Sequence, residues 1–187
     1  VSECVKVLRD ELPYNLHIFV NSVEFIAKVI DTLKLAPEAV KVVCSTSGES
    51  RQENQRKLGN AYPIGQPSDP AKKINFYTST CFEGCDIFDP DGVTFIVSDG
   101  RKAHTLLDIS TLFTQICGRI RDSRYKAQIV HVYSTTKYSK AVTLNEFVAA
   151  TQRTLADAES YAAEINSLSD ATRVKTLSKI PYINEQY

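Results

Sequence analysis

Short apolar runs alternate with amphipathic stretches over the first two-thirds of the chain. After the first run, Ser22 is a predicted helix N-cap, and the apolar residues between Val23 and Leu33 recur at helical spacing. Ser50-Arg-Gln-Glu53 has the capping-box pattern and predicts a polar helix that runs toward Leu58. The apolar runs have the length of strands and lie at residues 16–20, 40–44, 74–77, 93–97 and 128–133. Strands that alternate with helices predict an α/β fold, in which a parallel sheet lies between two layers of helices.

The pattern changes after Tyr133, where a polar connector is followed by a long stretch with no predicted strand. Thr143-Leu-Asn-Glu146 is a second capping-box sequence, and the Ala-rich residues from Leu144 to Leu168 follow it with a helical pattern. We therefore expect a C-terminal helical extension that frays or is truncated from Pro181 onward. The expected domain boundaries are residues 1–140 for the α/β domain and residues 141–187 for the extension.

The composition is that of an ordinary globular protein, with 187 residues and 43% hydrophobic residues. Lys plus Arg and Asp plus Glu are equal at 22 each, so binding to nucleic acid would have to use a local patch. The apolar runs have strand length, and the sequence predicts neither a signal peptide nor a membrane-spanning segment. The chain starts at Val1 and contains no Met. Such a sequence indicates a piece cut from a longer polypeptide, or the loss of Met positions.

The five cysteines are odd in number and show no pairing pattern, so we expect reduced thiols in a cytoplasmic protein. A metal site built from Cys81, Cys85, Cys117 and His104 is the alternative to consider. The Cys-x-x-x-Cys spacing differs from the usual zinc pair, and no second pair of this kind follows. Buried structural thiols are therefore the favoured interpretation, and we predict no metal site.

The stretch from Gln115 to Arg121 carries the sharpest candidate chemistry. Gly118 removes a side chain, and a glycine inside a helix costs about 1 kcal/mol relative to alanine, so it indicates a close backbone contact. Arg119 and Arg121 place two permanent cations beside this glycine, and planar guanidinium groups suit phosphate oxygens. The alternative is a solvated helix end, because cations are also favourable at helix C-termini.

A second stretch, from Thr78 to Asp86, follows the third predicted strand. Hydroxyl side chains come first, and Gly84 and Asp86 then lie two residues apart. Ligands of parallel sheets bind at the carboxyl ends of the strands, which makes this stretch a candidate ligand loop. Small hydroxyl residues and glycine are also common in ordinary loops, so the stretch alone is weak support for a site.

This second stretch resembles motif V of the second RecA-like domain of superfamily-two helicases. Motif V has a Thr, a Gly six residues later and an Asp two residues further on, as in Thr78, Gly84 and Asp86. Phe19-Val-Asn-Ser22, which opens the first predicted helix, resembles motif IV of the same domain. The resemblance covers residues 13–133, and it implies a RecA-like fold of the phosphate-loop NTPase class.

The first stretch resembles motif VI of the same helicases, which begins Gln-x-x-Gly-Arg. This chain has Gln115, Gly118 and Arg119 at those positions. Many members carry a second Arg three residues after the first, whereas this chain has Asp122 there and Arg121 one residue earlier. Both arginines are therefore candidates for the arginine finger. The Gly-Arg-x-Arg form is similar to the herpesvirus origin-binding helicase branch.

The resemblance implies an ATP-dependent helicase or translocase in which ATP lies between this domain and another RecA-like domain. It also implies contact with a DNA or RNA backbone. In the implied site, Arg119 and Arg121 reach the γ-phosphate with Gln115 nearby, Gly84, Asp86 and Gly118 face the nucleotide, and Thr78 and Ser79 bind the nucleic-acid backbone.

Other parts of an ATPase are missing from this sequence. It contains no Gly-x-x-x-x-Gly-Lys-[Ser/Thr] phosphate loop and no Asp-Glu pair after a strand. We therefore expect the lysine cradle and the Mg²⁺ ligands to belong to the other domain, so the chain alone should not hydrolyse ATP. The alternative is a non-catalytic RecA-like interaction or nucleic-acid-binding module. A Rossmann-type enzyme is disfavoured because the Gly-x-Gly-x-x-Gly turn is missing.

Overall fold

Five parallel strands form the sheet of the computed structural model, which describes residues 2–134 and 142–177. The strand order across the sheet is β2-β3-β1-β4-β5. All five predicted strands are confirmed, with ends that agree to within two residues. The strands are β1 Asn15–Phe19, β2 Val40–Val43, β3 Ile74–Tyr77, β4 Gly92–Asp99 and β5 Ile129–Ser134.

Helices occupy most of the connections between the strands and most of the described C-terminal residues. Short 3₁₀ turns lie at Pro37–Ala39, Ser79–Cys81 and Ala103–Thr105, and a π-helical turn at Ile109–Phe113 precedes the short helix α4. The α-helices are α1 Ser2–Leu8, α2 Val23–Leu33, α3 Gly48–Leu58, α4 Thr114–Cys117, α5 Leu144–Ser167 and α6 Asp170–Leu177.

Two of the three predicted helix caps are confirmed. The Ser22 hydroxyl accepts a hydrogen bond from the Phe25 backbone N–H at 3.2 Å, and Thr143 forms the expected capping box with Glu146. The prediction that Ser50 caps α3 is wrong, since the helix starts at Gly48 after an extended Ser47. The Ser50 N–H already donates to the Ser47 carbonyl, so the backbone is helical before Ser50 is reached.

Both faces of the sheet are covered over β1 to β4, whereas the edge strand β5 is largely exposed, and this arrangement confirms the three-layer α/β/α fold class. One face packs on α1, α2 and the end of α3, through buried residues that include Val7, Ile26, Ile30 and Leu58. The other face packs on the segments that follow β3 and β4, through Phe82, Ile87, Ile116 and Ile120. The chain thus crosses to the second face after β3, and both candidate stretches lie on that second side.

A row of buried polar side chains runs across the second face of the sheet. Lys41, Asn75, His17 and Thr94 are register partners on β2, β3, β1 and β4, and all four are buried. Buried polar groups are costly unless they are hydrogen-bonded. The Lys41 amine donates to the Pro67 carbonyl at 3.0 Å, so this row holds the loop that precedes β3.

The chain divides into two compact units, residues 1–137 and residues 138–187. The second unit contains α5 and α6, and its described part contains no strand. The expected boundary between residues 140 and 141 and the expected frayed end from Pro181 lie outside the described residues. No helix within residues 2–134 and 142–177 is long and apolar enough to cross a membrane.

Candidate nucleotide and nucleic-acid site

The two candidate stretches lie side by side in the structure. The Ile87 N–H donates to the Arg119 carbonyl at 2.9 Å, and the Arg121 N–H donates to the Ile87 carbonyl at 3.0 Å. Ile87 and Ile120 form an isolated parallel bridge, and both side chains are buried in the core of the second face. Residues 85–92 and residues 119–125 therefore form one paired structure, which we call the paired loops.

Arg119 is a buried cross-link between the paired loops, with only 8% of its surface exposed. Its Nη1 donates to the Cys85 carbonyl, while Nε donates to the Gln115 carbonyl and Nη2 to Gln115 Oε1, each at 2.9 Å. Hydrogen bonds from a charged donor are stronger than neutral ones. These three bonds therefore fix the end of α4 to the loop that carries Gly84 and Asp86.

Arg121 has a different environment, because 49% of its side chain is exposed. Its Nε donates to Oδ1 of Asp86 at 2.7 Å, and the Asp86 side chain is also 49% exposed. Exposed ion pairs contribute only about 0–1 kcal/mol, so an incoming phosphate can replace the Asp86 carboxylate at little cost. Arg121 is thus the arginine of this pair that is available to a ligand.

Asp122, which stands where many motif VI sequences have a second arginine, closes the paired loops. Its Oδ1 accepts a hydrogen bond from the Asp89 backbone N–H at 2.8 Å. The neighbouring Ser123 hydroxyl donates to the Gly92 carbonyl at 2.6 Å, and Arg124 forms an ion pair with Asp91. Three consecutive side chains thus bind the preceding loop, and the departure from the motif serves this local structure.

The two candidate glycines differ in what their surroundings require. Gly84 has a φ of +69°, a conformation that favours glycine, and it is exposed. A Cβ on Gly118 would lie 3.6 Å from the Gln115 carbonyl oxygen, which is ordinary contact, so no group of this domain requires a glycine there. A cavity of about 360 Å³ adjoins it and is lined by Ser110, Thr111, Thr114, Gln115, Gly118 and Arg119.

The predicted nucleic-acid contacts lie at the carboxyl end of β3. Thr78 is 5% exposed, and its Oγ1 lies 3.3 Å from the Oγ1 of Thr80. Ser79 and Thr80 are exposed. The structure therefore places Ser79 and Thr80 within reach of a ligand, whereas the Thr78 hydroxyl is directed into the turn that supports them.

Asn21 connects the two loops at the centre of this edge. Its Oδ1 accepts a hydrogen bond from the Ser79 N–H at 3.3 Å, and its Nδ2 donates to the His104 carbonyl at 2.9 Å. The chain leaves β1 toward β2 and leaves β4 toward β5 on the opposite side, so Asn21 lies at a topological switch point. In the sequence, Asn21 was identified only within the motif IV resemblance, although its position directly after the predicted central strand was a usable signal.

The cations near this edge are mostly paired with acids. Arg101 forms an ion pair with Asp99, and Lys102 lies 3.6 Å from a carboxylate oxygen of Glu24. Neither sign of charge is in excess among these pairs, and the whole chain is likewise neutral. Among the described residues, no group of three or more His, Cys, Asp or Glu side chains is arranged to hold a metal ion.

Comparisons with protein-family models, curated proteins and solved structures found no match to this chain. The structure shows a parallel α/β/α fold in which the two candidate stretches are neighbours. A nucleotide or nucleic-acid function is therefore inferred from these stretches and their geometry alone.

Proposed function

We propose that this chain is the second RecA-like domain of an ATP-dependent helicase or translocase that acts on DNA or RNA. The observation that carries the proposal is the cross-link by Arg119, which places the loop of Gly84 and Asp86 beside the exposed Arg121. Two stretches that are 29 residues apart in the sequence, from Asp86 to Gln115, thereby meet at one site. This is the arrangement that a domain closing over a nucleotide requires.

Within this proposal the two arginines have different roles. Arg121 is the arginine finger, because its guanidinium is exposed and its present partner is an exchangeable carboxylate. Arg119 is a positioning residue, because it is buried and donates to three acceptors of its own domain. Gln115 supports Arg119 through Oε1, and its exposed position also allows contact with a phosphate.

The residues fit one side of a nucleotide site. Asp86 and Gly84 are exposed next to Arg121, and a side chain is missing at Gly118 where this domain has room for one. ATP would supply the transferable phosphoryl group, and Arg121 would balance the negative charge that develops on it. The phosphate loop and the Mg²⁺ ligands would belong to another RecA-like domain of the same cytoplasmic protein.

Nucleic acid would cross the carboxyl edge of the sheet in this proposal. Ser79 and Thr80 offer exposed hydroxyl groups, and Asn21 fixes the loop that carries them. Hydroxyl and amide donors of this kind bind phosphate oxygens without reading sequence. Closure of two domains around ATP and their opening after hydrolysis would then move this edge along the strand.

The competing proposal is a non-catalytic interaction or nucleic-acid-binding module that retains the RecA-like fold. The observation that favours it is Asp122, which replaces a motif VI arginine and binds the Asp89 backbone. In such a module the ion pair between Arg121 and Asp86 would be a permanent surface contact. The two proposals differ in whether Arg121 affects ATP turnover.

ATP hydrolysis distinguishes these functions. The chain alone should show no turnover, and a polypeptide that joins it to its phosphate-loop domain should hydrolyse ATP faster when single-stranded nucleic acid is added. Arg121→Ala should abolish most of that activity, with Arg124→Ala as the matched control because its ion pair with Asp91 lies on the same loop. Turnover that neither nucleic acid nor Arg121→Ala changes would favour the interaction module, because this chain would then take no part in hydrolysis. Turnover by the chain alone would contradict both proposals.

A further inference from the structure

Two cysteines share the turn below the candidate nucleotide loop. Cys81 ends the 3₁₀ turn after β3 and is 0% exposed, whereas Cys85 is partly exposed. The Cys85 Sγ lies 3.2 Å from the Cys81 carbonyl oxygen, so the Cys85 side chain folds back across the turn. Gly84, with its φ of +69°, allows this reversal.

The two thiols differ in exposure, and this difference suits Cys85 as the attacking cysteine and Cys81 as the resolving cysteine. Burial and the neighbouring Cys85 thiol raise the pKa of Cys81 to about 12, so Cys81 is protonated and shielded in the reduced protein. Cys85 is accessible to a small oxidant, and redox-sensitive cysteines are typically solvent-accessible with a second thiol close by. The turn is also connected to the paired loops, because the Cys85 carbonyl accepts the Nη1 hydrogen bond of Arg119.

We propose that Cys81 and Cys85 form a redox-sensitive dithiol that closes to a disulfide when it meets a low-molecular-weight disulfide oxidant. The Cys85 thiolate attacks one sulfur of the oxidant, and the first small thiolate leaves. Cys81 Sγ then attacks Cys85 Sγ, and the Cys81 proton passes directly to the second small thiolate, which leaves as a thiol. The protein loses two protons and two electrons, and the oxidant is reduced to two thiols. The disulfide displaces the Cys85 carbonyl and loosens the Arg119 cross-link.

This modification does not depend on the proposed helicase function, and mass spectrometry of the whole chain tests it. The reduced protein is incubated with oxidised glutathione, free thiols are blocked, and peptides are mapped without reduction. We expect the intact protein to lose two hydrogens and a single peptide to carry a link between Cys81 and Cys85. Cys81→Ser should instead accumulate a stable mixed disulfide at Cys85.

Cys117 supplies the matched control, because it is also partly exposed and packs against the same core. Cys117→Ser should form the disulfide as the unmodified chain does, and Cys85→Ser, at a partly exposed position, should not form it. A link between Cys85 and Cys117, a mixed disulfide that persists in the unmodified chain, or no reaction would overturn the proposal. Amide hydrogen exchange of residues 119–125 should increase on oxidation in Cys117→Ser but not in Cys85→Ser, and unchanged exchange in both would refute the link to Arg119.

Discussion

His17 Nε2 lies 2.8 Å from Oδ2 of Asp89, and both side chains are almost completely buried. His17 belongs to the central strand, and its Nδ1 lies 3.1 Å from the Tyr77 hydroxyl on the neighbouring strand. Asp89 belongs to the paired loops, and its backbone N–H is bound by Asp122. The hydrogen bond between His17 and Asp89 thus connects the centre of the sheet to the loops that carry the candidate site.

Acid should weaken this connection. Burial alone would raise the pKa of Asp89, but hydrogen bonds from His17 and Asn15 outweigh it and lower the pKa. A lowered folded-state pKa means that Asp89 stabilises the fold above its unfolded-state pKa of about 3.9. That contribution is lost as the pH falls from about 5 through the folded-state pKa.

Asp89→Asn should therefore lower stability at pH 7 and make stability less dependent on pH in the acid range. Urea unfolding midpoints measured from neutral pH into the acid range give this comparison directly. Asp31→Asn, at an exposed position of α2, is the control and should keep the pH dependence of the unmodified chain. Parallel pH profiles for Asp89→Asn and the unmodified chain would show that the carboxylate has no such role.

Substitution by alanine should affect the stability of the fold at Gly92 but hardly at Gly118. A Cβ on Gly92 would lie 2.9 Å from both Cδ2 and Nε2 of His17 and 3.2 Å from Cδ1 of Ile120. Because hydrogen bonds fix His17 in the core, Gly92→Ala should destabilise the fold by about 1–3 kcal/mol. Gly118→Ala meets only ordinary contacts and should change stability by less than about 0.5 kcal/mol.

ATP turnover of Gly118→Ala tests whether a ligand uses the space beside this glycine. If a nucleotide or a second RecA-like domain approaches Gly118 as proposed, then Gly118→Ala should reduce ATP turnover although the fold is unaffected. The protein to measure is the polypeptide that joins this chain to its phosphate-loop domain, which we call the two-domain protein. Thermal unfolding and ATPase measurements on the same preparations separate the two effects. A Gly118→Ala protein with full activity would mean that the empty space at this position serves no ligand.

The two arginines should also separate stability from activity. Arg119→Ala removes the three hydrogen bonds of a buried guanidinium, including the one to the Cys85 carbonyl, so it should cost about 1–3 kcal/mol in the free energy of unfolding. Arg121→Ala removes an exposed ion pair and should cost about 1 kcal/mol or less. In the two-domain protein, Arg121→Ala should lower kcat by roughly 10²-fold or more if Arg121 is the finger.

Arg121→Lys refines this comparison, because lysine keeps the charge but lacks the planar fork of arginine. We expect only partial recovery of kcat, with the unfolding free energy close to that of the unmodified chain. Loss of kcat in Arg119→Ala under conditions where that protein is fully folded, together with normal kcat in Arg121→Ala, would reverse the assignment of the two roles.

The order of strands along the chain was predictable from the sequence, because each strand is a separate short apolar run, and this holds even for β5, which is largely exposed. The helix caps at Ser22 and Thr143 were also predictable, because a cap bonds to a residue only three positions further along the chain. The prediction for Ser50 was wrong because the helix begins at Gly48, two residues before the capping-box sequence. Most strands and helix starts could thus be predicted from residues that are close together in the sequence.

The internal organisation of the site was less predictable. Nothing in the order of residues shows that Arg119 is buried and that Arg121 is exposed, because that difference arises from hydrogen bonds to Cys85 and Asp86. The contact between His17 and Asp89 joins residues 72 positions apart, and no local pattern indicates it. The resemblance to helicase motifs pointed to two stretches that the structure brings together, whereas the contacts of each side chain in them are visible only in three dimensions.

Nucleic-acid binding by this chain should be weak and sensitive to salt. The chain has no net charge, and Arg101 and Lys102 near the carboxyl edge already have acidic partners. With about two to four phosphate contacts, the slope of log affinity against log salt should be about −1 to −4. Asn21→Ala should weaken binding to all sequences about equally, because Asn21 fixes the loop that carries Ser79.

Fluorescence anisotropy with several single strands of different sequence, measured over a range of salt concentrations, tests this expectation. Gln52→Ala, on the exposed surface of α3, is the matched control because, like Asn21→Ala, it removes a side-chain amide without changing the net charge. Since a phosphate contact reads no base, the strands should differ little in affinity and in their response to Asn21→Ala. Strong preference for one sequence, or tight binding that does not change with salt, would instead favour a dedicated sequence-reading module over a motor domain.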